Sequence, residues 1–192
     1  MSQGKEGRVY YFAKKGAHNT AKTLDIALAA CEERGIKKIV VASSTGETAL
    51  KLQAKANFSL EIIAVTYGAG SKYVEEVEAF NRKRPLLEEK GIRIVRGIHA
   101  LSATERTFEN KYKSGFIPLN IVADTLRMFS QGMKVCVEAA VMAAEHGFIK
   151  PEEDVVVTAG TGHGADTAVV LRSGYAATMF ETKFKAVLCM PE

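Results

Sequence analysis

The sequence predicts an α/β fold with a mostly parallel sheet, and two observations carry this prediction. Short apolar runs rich in β-branched residues recur along the chain, as expected of strands that are buried on both faces. Helical patterns separate the first four of these runs, and such alternation is typical of a parallel sheet. The 192 residues, 47% of them hydrophobic, are enough to bury a sizeable core.

The first helix has the clearest signals for its start and end. Thr20–Arg34 carries Leu24, Leu28 and Cys31 on one face and stops at Gly35, a residue that suits the position after a helix end. The other elements predicted around it are the strands Val9–Phe12, Ile39–Ala42, Leu60–Val65 and Ile92–Val95 and the helix Glu47–Lys55.

A third helix is predicted near Tyr73–Arg84. It should break at Pro85, because proline lacks an N–H donor, and restart as a short helical turn that ends at Gly91. Its basic run, Asn81–Arg84, is best explained as a solvated helix face, so we expect no nucleic-acid partner.

The second half of the chain has a different pattern. The segment 101–113 is polar, and two apolar helical patterns then follow, separated only by Gln131 and Gly132. They predict a helix pair that covers one sheet face. The elements predicted in this half are the helices Ile117–Ser130 and Met133–His146 and the strands Val155–Thr158, Thr167–Leu171 and Phe184–Met190. We therefore expect one continuous domain over residues 1–192, with a helix pair inserted at about 117–146.

Composition excludes several classes of protein. No segment is apolar over the roughly 20 residues that a membrane span needs, and the amino terminus lacks a secretion signal, so we expect a cytoplasmic protein without a membrane partner. Cys31, Cys136 and Cys189 lie in apolar contexts and are interpreted as buried and reduced. The four histidines have no metal-ligand spacing, so no metal site is predicted, and His146, in a last helical turn, is interpreted as structural.

The stretch IVVASSTGETA, residues 39–49, is the strongest candidate for a binding site. A buried strand leads into Ser43, Ser44, Thr45, Gly46, Glu47 and Thr48, where a helix starts. The free N–H groups of a helix start attract anions, glycine permits close approach, and the hydroxyls add donors. This pattern predicts a phosphate cradle. The alternative is that the hydroxyls only cap the helix. No lysine follows the glycine, so the loop is not of the Walker type.

Other polar loops should reach the same sheet edge, because ligands bind outside the carboxyl ends of parallel strands. The candidate ligand-binding residues in these loops are Asn19, Thr20, Thr66, Tyr67, Gly68, Ser102, Gly160, Thr161, Gly162, His163 and Asp166. The stretch AGTGHGAD, residues 159–166, matches a loose dinucleotide pattern, but a strand-like segment follows it where that fingerprint needs a helix. Its glycines either allow a tight turn or contact a flat, phosphorylated ligand. Glu47 and Asp166 are candidate polar contacts for a ligand, and the alternative for each is a helix cap or a solvated group.

Two blocks of the chain resemble the carboxyl-terminal domain of pyruvate kinase. They are LDIALAACEERGIKKIVVASSTGETALKLQAKANFSLEIIAVT, residues 24–66, and AAEHGFIKPEEDVVVTAGTGHGADTAVVLRSG, residues 143–174. The resemblance implies a three-layer α/β/α domain. It also implies that Ser43 to Thr48 match the loop that holds a phosphate of the sugar bisphosphate effector. The family often has arginine after the loop glycine, whereas this chain has Glu47. The catalytic barrel has no counterpart here, so we expect no pyruvate kinase activity.

Free-standing prokaryotic proteins that resemble this domain look like binders of flavin mononucleotide (FMN). The resemblance implies FMN as cofactor. From the convergence of the loops we expect its phosphate at Ser43 to Thr48, its ribityl hydroxyls near Asn19, Thr20 and Thr66, and its ring against Gly160 to Gly164, where Tyr67 could stack. A flavin-dependent oxidoreductase is one consequence, and its catalytic residues are unknown. The alternatives are a non-catalytic sensor of a phosphorylated metabolite such as a sugar phosphate, and a hydrolase that uses His163 and Asp166. The helix pair could also provide a face for homo-oligomerisation.

Overall fold

A mixed sheet of seven strands forms the centre of the protein, as seen in a computed structural model that describes residues 7–57, 59–102, 104–113 and 115–192. The strands are β1 (Tyr10–Phe12), β2 (Lys38–Ala42), β3 (Glu61–Tyr67), β4 (Arg93–Gly97), β5 (Val155–Ala159), β6 (Thr167–Arg172) and β7 (Lys183–Pro191). Their order across the sheet is β1-β7-β6-β5-β2-β3-β4.

Six α-helices connect or flank the strands in the described part of the chain. They are α1 (Thr20–Arg34), α2 (Glu47–Lys55), α3 (Val74–Glu89), α4 (Glu105–Tyr112), α5 (Pro118–Arg127) and α6 (Gln131–Glu145). Two short 3-10 helices, Ala17–Asn19 and Ala176–Glu181, precede α1 and β7.

The strand directions confirm the prediction of a mostly parallel sheet. β2 pairs in parallel with β3 and with β5, β3 pairs in parallel with β4, and β1 pairs in parallel with β7. Within the described residues, β6 alone runs against its two neighbours. The carboxyl ends of all the other strands therefore meet at one side of the sheet, which we call the carboxyl-terminal edge.

Two apolar layers pack on opposite faces of the sheet. Along β2, Ile39 and Val41 face the core formed with α1, α2 and α3, whereas Val40 faces the core formed with α6. Side chains alternate between faces along a strand, so both faces of β2 are covered and the run is apolar throughout. Each fully buried side chain of this kind contributes roughly 1.5–3 kcal/mol. The predicted α/β/α arrangement is confirmed.

The helices α1 and α2 begin and end where the sequence predicts. Gly35 follows α1 with a φ of +64°, a left-handed conformation that glycine adopts without strain, and its N–H bonds the carbonyl oxygens of Cys31 and Glu32. The start of α2 follows Gly46, whose φ is +84°. Local signals were sufficient for both helices.

The predicted break of α3 at Pro85 is wrong. The helix is continuous from Val74 to Glu89 and contains the proline. Phe80 and Leu87, seven residues apart, are both completely buried and hold the turns before and after Pro85 against the core. Asn81 and Pro85 are exposed, so water can reach the carbonyl that the proline leaves without its helical donor. The burial of Phe80 and Leu87 therefore outweighs the cost of the helical hydrogen bond that is lost at Pro85.

The helices of the second half include one that the sequence did not predict. α4 lies in the polar segment and has no buried residue. α5 begins with Pro118 at its first turn, and α6 is capped by Ser130, whose Oγ accepts the N–H of Met133 at 2.9 Å. α6 is apolar nearly all round and packs against the sheet.

All three cysteines are buried and free, as predicted. Burial raises the pKa of the Cys31 thiol to about 12 and that of Cys189 to about 11. Such thiols are protonated at neutral pH and behave as small apolar side chains. Of the helices that the structure describes, none has the length and apolar character that crossing a membrane requires.

Candidate functional site

The carboxyl-terminal edge brings together the loops that follow β1, β2, β3, β4 and β5. β2 and β5 are neighbours in parallel register, with Val41 opposite Thr158. The loops that contain Ser44 and Gly162 therefore leave the sheet side by side. This topology is the one that a ligand site at the edge requires.

The loop after β2 and the first turn of α2, residues 43–48, form what we call the anion loop. Ser43 is buried, and its Oγ accepts the N–H of Ala49 at 3.3 Å. Leu50 donates to the carbonyl oxygen of Gly46 at 3.1 Å. A Cβ at Gly46 would lie 3.1 Å from Cδ1 of Leu87, so the glycine lets the loop approach α3 closely. Ser43 thus satisfies one N–H group of the first turn of α2, which is the role that the capping interpretation gave to all the hydroxyls.

The remaining donors of the anion loop have no acceptor within the part of the protein that the structure describes. The backbone N–H groups of Thr45, Gly46, Glu47 and Thr48 make no hydrogen bond there, and neither do the hydroxyls of Ser44, Thr45 and Thr48. Consecutive free N–H groups at a helix start form a concavity with partial positive charge. One hydroxyl suffices for the cap, and the others are left for a ligand or water.

One basic side chain, that of Lys83, lies beside the anion loop, and a second, that of Arg96, comes from β4 and lies over the ring of Phe80 at 5.4 Å. Nζ of Lys83 on α3 is 3.2 Å from Oε1 of Glu47, and its side-chain carbons would contact a Cβ at Gly46. Arg96 on β4 lies opposite Thr66 on β3, and Thr66 donates its hydroxyl to the carbonyl oxygen of Ser44 at 3.3 Å. Lys83 thus supplies, from α3, a positive charge next to Gly46, where the sequence itself has Glu47 instead of a basic residue.

Three buried polar atoms at strand ends or loops of this edge have no hydrogen-bond partner. They are Nη2 of Arg96, Oγ1 of Thr158 and Oγ1 of Thr161. Buried polar groups are nearly always satisfied, and an orphaned one indicates a bound molecule or water. Thr158 is completely buried at the end of β5, the strand beside β2. A polar ligand or water at this edge would satisfy these atoms.

Asp166, a candidate polar reader, is engaged inside the protein. Its side chain is fully buried, and Oδ2 accepts the N–H groups of Gly16 at 2.9 Å and Thr161 at 3.2 Å. Oδ1 accepts the hydroxyl of Thr167 at 3.0 Å. The carboxylate joins the loops after β1 and β5.

Thr20 and two glycines hold the same loops together. Oγ1 of Thr20 donates to the carbonyl oxygen of Ala17 at 2.6 Å and accepts the N–H of Ala165 at 3.0 Å. A Cβ at Gly164 would lie 2.2 Å from Oγ1 of Thr20, and one at Gly160 would lie 2.6 Å from the carbonyl oxygen of Gly164. Gly160 and Gly164 therefore allow the tight turn of the loop after β5, where a side chain would not fit.

The other candidate residues divide into engaged and open positions. Asn19 is buried and donates Nδ2–H to the carbonyl oxygen of Lys14 at 2.7 Å. Gly162 and His163 are exposed, whereas Ser102 is buried. Gly68 lies against β4, because a Cβ there would be 2.9 Å from the carbonyl oxygen of Gly97. The open positions at this edge are thus the anion loop and the tip of the 160–166 loop.

Tyr67, at the end of β3, is part of a row of rings. It stacks on Tyr73 with a centroid distance of 5.0 Å and contacts His99 at 5.5 Å. Burial raises the pKa of Tyr67, and Tyr73 adds to this effect. The row extends along the edge from the start of α3 to the loop after β4.

A buried charged cluster, missed at the sequence level, lies beside these rings. Glu138 on α6 is 3% exposed. Its Oε2 is 2.5 Å from Nζ of Lys134 and 3.1 Å from Nδ1 of His99, and its Oε1 accepts the N–H of Leu101 at 3.2 Å. We call Lys134, Glu138 and His99 the Glu138 cluster. The available signal was a lysine and a glutamate four residues apart inside an apolar helix.

Comparison with known proteins gives one family match and several similar structures. A family model described as "Pyruvate kinase, alpha/beta domain" matches residues 21–171. A crystal structure of the pyruvate kinase of Cryptosporidium parvum is 16% identical, with a TM-score of 0.41, over 83% of this chain and 23% of that one.

Two further structures of that enzyme give similar values. The structure in complex with ADP has 16% identity and a TM-score of 0.41, over 83% of this chain and 24% of that one. Another has 17% identity and a TM-score of 0.36, over 82% and 23%. This chain therefore spans less than a quarter of the length of those enzymes.

Proposed function

The chain belongs to the pyruvate kinase alpha/beta-domain family, and from this premise we propose that it binds a phosphorylated, mononucleotide-like ligand, FMN, at the carboxyl-terminal edge. The observation that carries the proposal is the run of unpaired N–H groups from Thr45 to Thr48 at the start of α2. Four adjacent donors with no protein acceptor in the described chain match the several oxygens of one phosphate group.

Charge supports a phosphate more than a neutral ligand. Lys83 lies beside Gly46 and Glu47, and the buried Nη2 of Arg96 lacks a partner. A phosphate monoester carries a charge of about −1.5 to −2 at pH 7. Two cations and a helix start would offset this charge, while Glu47 weakens the attraction by pairing with Lys83.

The flat part of the ligand is proposed to lie on the β3 and β4 side of the anion loop. On the α1 side, Asn19 and Thr20 already satisfy backbone groups of the protein. On the other side, Tyr67 and His99 present a row of rings immediately after Thr66, which contacts the anion loop. Aromatic side chains favour the face of a planar heterocycle.

FMN, when bound, supplies hydride and single-electron transfer, and the protein supplies binding, orientation and electrostatics. A flavin-dependent oxidoreduction is therefore the reaction class to test. A non-catalytic sensor of a sugar phosphate would use the same anion loop and cations but would not need the rings.

The test is to purify the protein, record its visible absorption spectrum, identify any bound small molecule by mass analysis, and titrate the ligand-free protein with FMN. We expect a yellow protein, or flavin binding that is strongly weakened by Ser44→Ala with Thr45→Ala. Ser59→Ala, an exposed hydroxyl in the loop before β3, is the matched control and should bind FMN as the wild type does.

Two results would contradict this proposal. Unchanged FMN affinity in the double variant would show that the phosphate does not bind at the anion loop. A colourless protein that ignores FMN but gains thermal stability with a sugar phosphate would favour the sensor, because a ligand that binds only the native state raises the melting temperature.

A further inference from the structure

The Glu138 cluster contains an ionised carboxylate in the interior. Burial raises the pKa of Glu138, but the hydrogen bond from His99 and the charge of Lys134 outweigh it and lower the pKa to about 2. Burial lowers the pKa of Lys134, although Glu138 raises it. The carboxylate has three donors whereas the ammonium has one acceptor, and this difference explains why only the carboxylate gains from the site.

The contribution of this cluster to stability does not by itself explain why charged residues occupy these positions. α6 is otherwise lined by alanine, valine, cysteine and methionine, and twelve of its residues are buried. Apolar residues of similar volume would fill the same space, and replacement of a buried ion pair by such residues is often neutral or stabilising. The charges are therefore better explained by what they do to a neighbouring group.

The neighbouring group is the imidazole of His99. Its Nδ1 faces Oε2 of Glu138 at 3.1 Å, so the carboxylate favours a proton on Nδ1. In the neutral ring, Nε2 on the opposite side is then the free basic nitrogen. The ring also contacts Tyr67, and a third of the side chain is exposed. A histidine oriented by a carboxylate and still open to solvent has the arrangement of an acid–base group.

The position of His99 connects it with the anion loop. His99 follows β4 at the carboxyl-terminal edge, and its ring contacts Tyr67 at the end of β3. The residue before Tyr67 is Thr66, whose hydroxyl bonds the carbonyl oxygen of Ser44. The anion loop after β2 and His99 after β4 therefore lie at the same edge of the sheet with β3 between them, and the ligand has to span the end of β3 to contact both.

We propose that His99 is an acid–base residue that exchanges a proton with the planar, phosphorylated ligand bound at this edge, and that Glu138 and Lys134 are positioning residues. This inference rests on the proposed function. In the transfer, Nε2 of His99 would accept a proton from an N–H or O–H group of the bound ligand, on which the electron pair of the broken bond would stay. The resulting imidazolium is balanced by the adjacent carboxylate of Glu138.

Other charged or titratable groups also act on this site and must be considered in any pH dependence. Tyr73, Glu76 and Glu138 act on Tyr67. Glu138, Arg127 and Arg106 act on Lys134. Because these groups act on Tyr67 and Lys134 next to His99, the test compares variants of His99 itself rather than the pH profile of the wild type alone.

The first measurement is calorimetric titration with FMN in buffers of different ionisation enthalpy, which gives the number of protons exchanged on binding. The phosphate of FMN itself exchanges protons, since its second pKa is about 6, and this contribution is present in every variant. His99→Gln keeps a donor for Glu138 and should lose the remaining exchange. His18→Gln, an exposed histidine in the 3-10 helix before α1, is the control and should retain it.

The second measurement is nitrogen NMR of the histidine rings. We expect neutral His99 to carry its proton on Nδ1 and to show a shift of the Nε2 signal when FMN binds. Glu138→Gln should lose the Nδ1 preference, and Glu138→Asp should restore part of it, which a purely structural role would not do.

Three outcomes overturn the inference in distinguishable ways. If FMN binds with the same proton exchange in wild type and His99→Gln, the acid–base role is wrong and the proposed function stands. If the wild-type protein binds no FMN at all, the proposed function fails and this inference fails with it. Protonation of neutral His99 on Nε2 would also overturn the inference, whatever the ligand.

Discussion

Oδ2 of Asp166 accepts the backbone N–H of Gly16 at 2.9 Å, although the two residues lie 150 positions apart in the chain. This bond joins the loop after β1 to the loop after β5. With the N–H of Thr161 on the same oxygen, it makes a buried carboxylate the anchor of two loops at the carboxyl-terminal edge. A residue that the sequence offered as a ligand reader thus organises the surroundings of the site.

Asp166→Asn should lower the free energy of unfolding clearly, although the two side chains have almost the same shape. The amide replaces the charged acceptor of three hydrogen bonds by a neutral group, and hydrogen bonds to charged groups contribute more than neutral ones, so we expect a loss of about 1–3 kcal/mol. The loss is measured as the free energy of unfolding in urea. Asp25→Asn is the control, because its exposed ion pair with Lys55 contributes at most about 1 kcal/mol. Equal losses in the two variants would contradict the role given to Asp166.

Gly164→Ala should be far more costly than Gly162→Ala. Both residues have a positive φ, +72° and +78°, but a Cβ at Gly162 meets no atom within 4 Å. At Gly164 it would meet Thr20 and Ala17. We expect a loss of roughly 1–2 kcal/mol for Gly162→Ala from left-handed strain, and about 1–3 kcal/mol more for Gly164→Ala from overpacking. Thermal unfolding of both variants checks the difference, and similar melting temperatures would refute it.

The buried pair in α6 predicts a non-additive double variant. Lys134→Met alone leaves Glu138 without its ammonium partner, and Glu138→Leu alone leaves Lys134 unpaired. Glu138→Leu should cost about 3–5 kcal/mol, because the ammonium of Lys134 stays buried without its acceptor. Lys134→Met should cost less, because Glu138 keeps the donors His99 and Leu101. The double variant should recover part of the larger loss, although the N–H of Leu101 stays without its acceptor. Urea unfolding of all four proteins gives the coupling free energy, and simple addition of the two losses would show that the pair is not buried as described.

Glu138 also predicts how stability depends on pH. The folded protein holds the pKa of this carboxyl at about 2, below its ordinary value of 4.5. The unfolded chain therefore takes up the proton first as the pH falls, so the contribution of Glu138 is complete above pH 4.5 and is lost between there and pH 2. Unfolding free energies should fall more steeply across this window in wild type than in Glu138→Gln. Parallel curves would contradict the prediction.

The pairing of Glu47 with Lys83 predicts opposite effects on ligand affinity. Glu47→Gln should tighten FMN binding by roughly 2- to 5-fold, since it frees the ammonium of Lys83, and Lys83→Met should weaken binding by a similar factor. Both effects should shrink at high salt, because the groups are partly exposed. Calorimetry at two salt concentrations measures them. Weaker binding in Glu47→Gln would show that the carboxylate itself contacts the ligand.

The sequence by itself determined the strands, the helices α1 and α2, the direction of most of the sheet and the polar anion loop. These features depend on signals that act within a few residues: apolar runs, helix periodicity, Gly35 after a helix and hydroxyls before one. Since the carboxyl ends of parallel strands must share an edge, the convergence of the loops followed from the same signals.

Only the tertiary structure decided how Pro85 is accommodated, where Lys83 lies relative to Gly46, and that Asp166 binds backbone rather than ligand. It also decided that Glu138 meets His99. Each of these outcomes depends on contacts between elements far apart in the chain, where packing of a buried face outweighs local preference. A short-range pattern carries no information about which distant side chain will fill the neighbouring space.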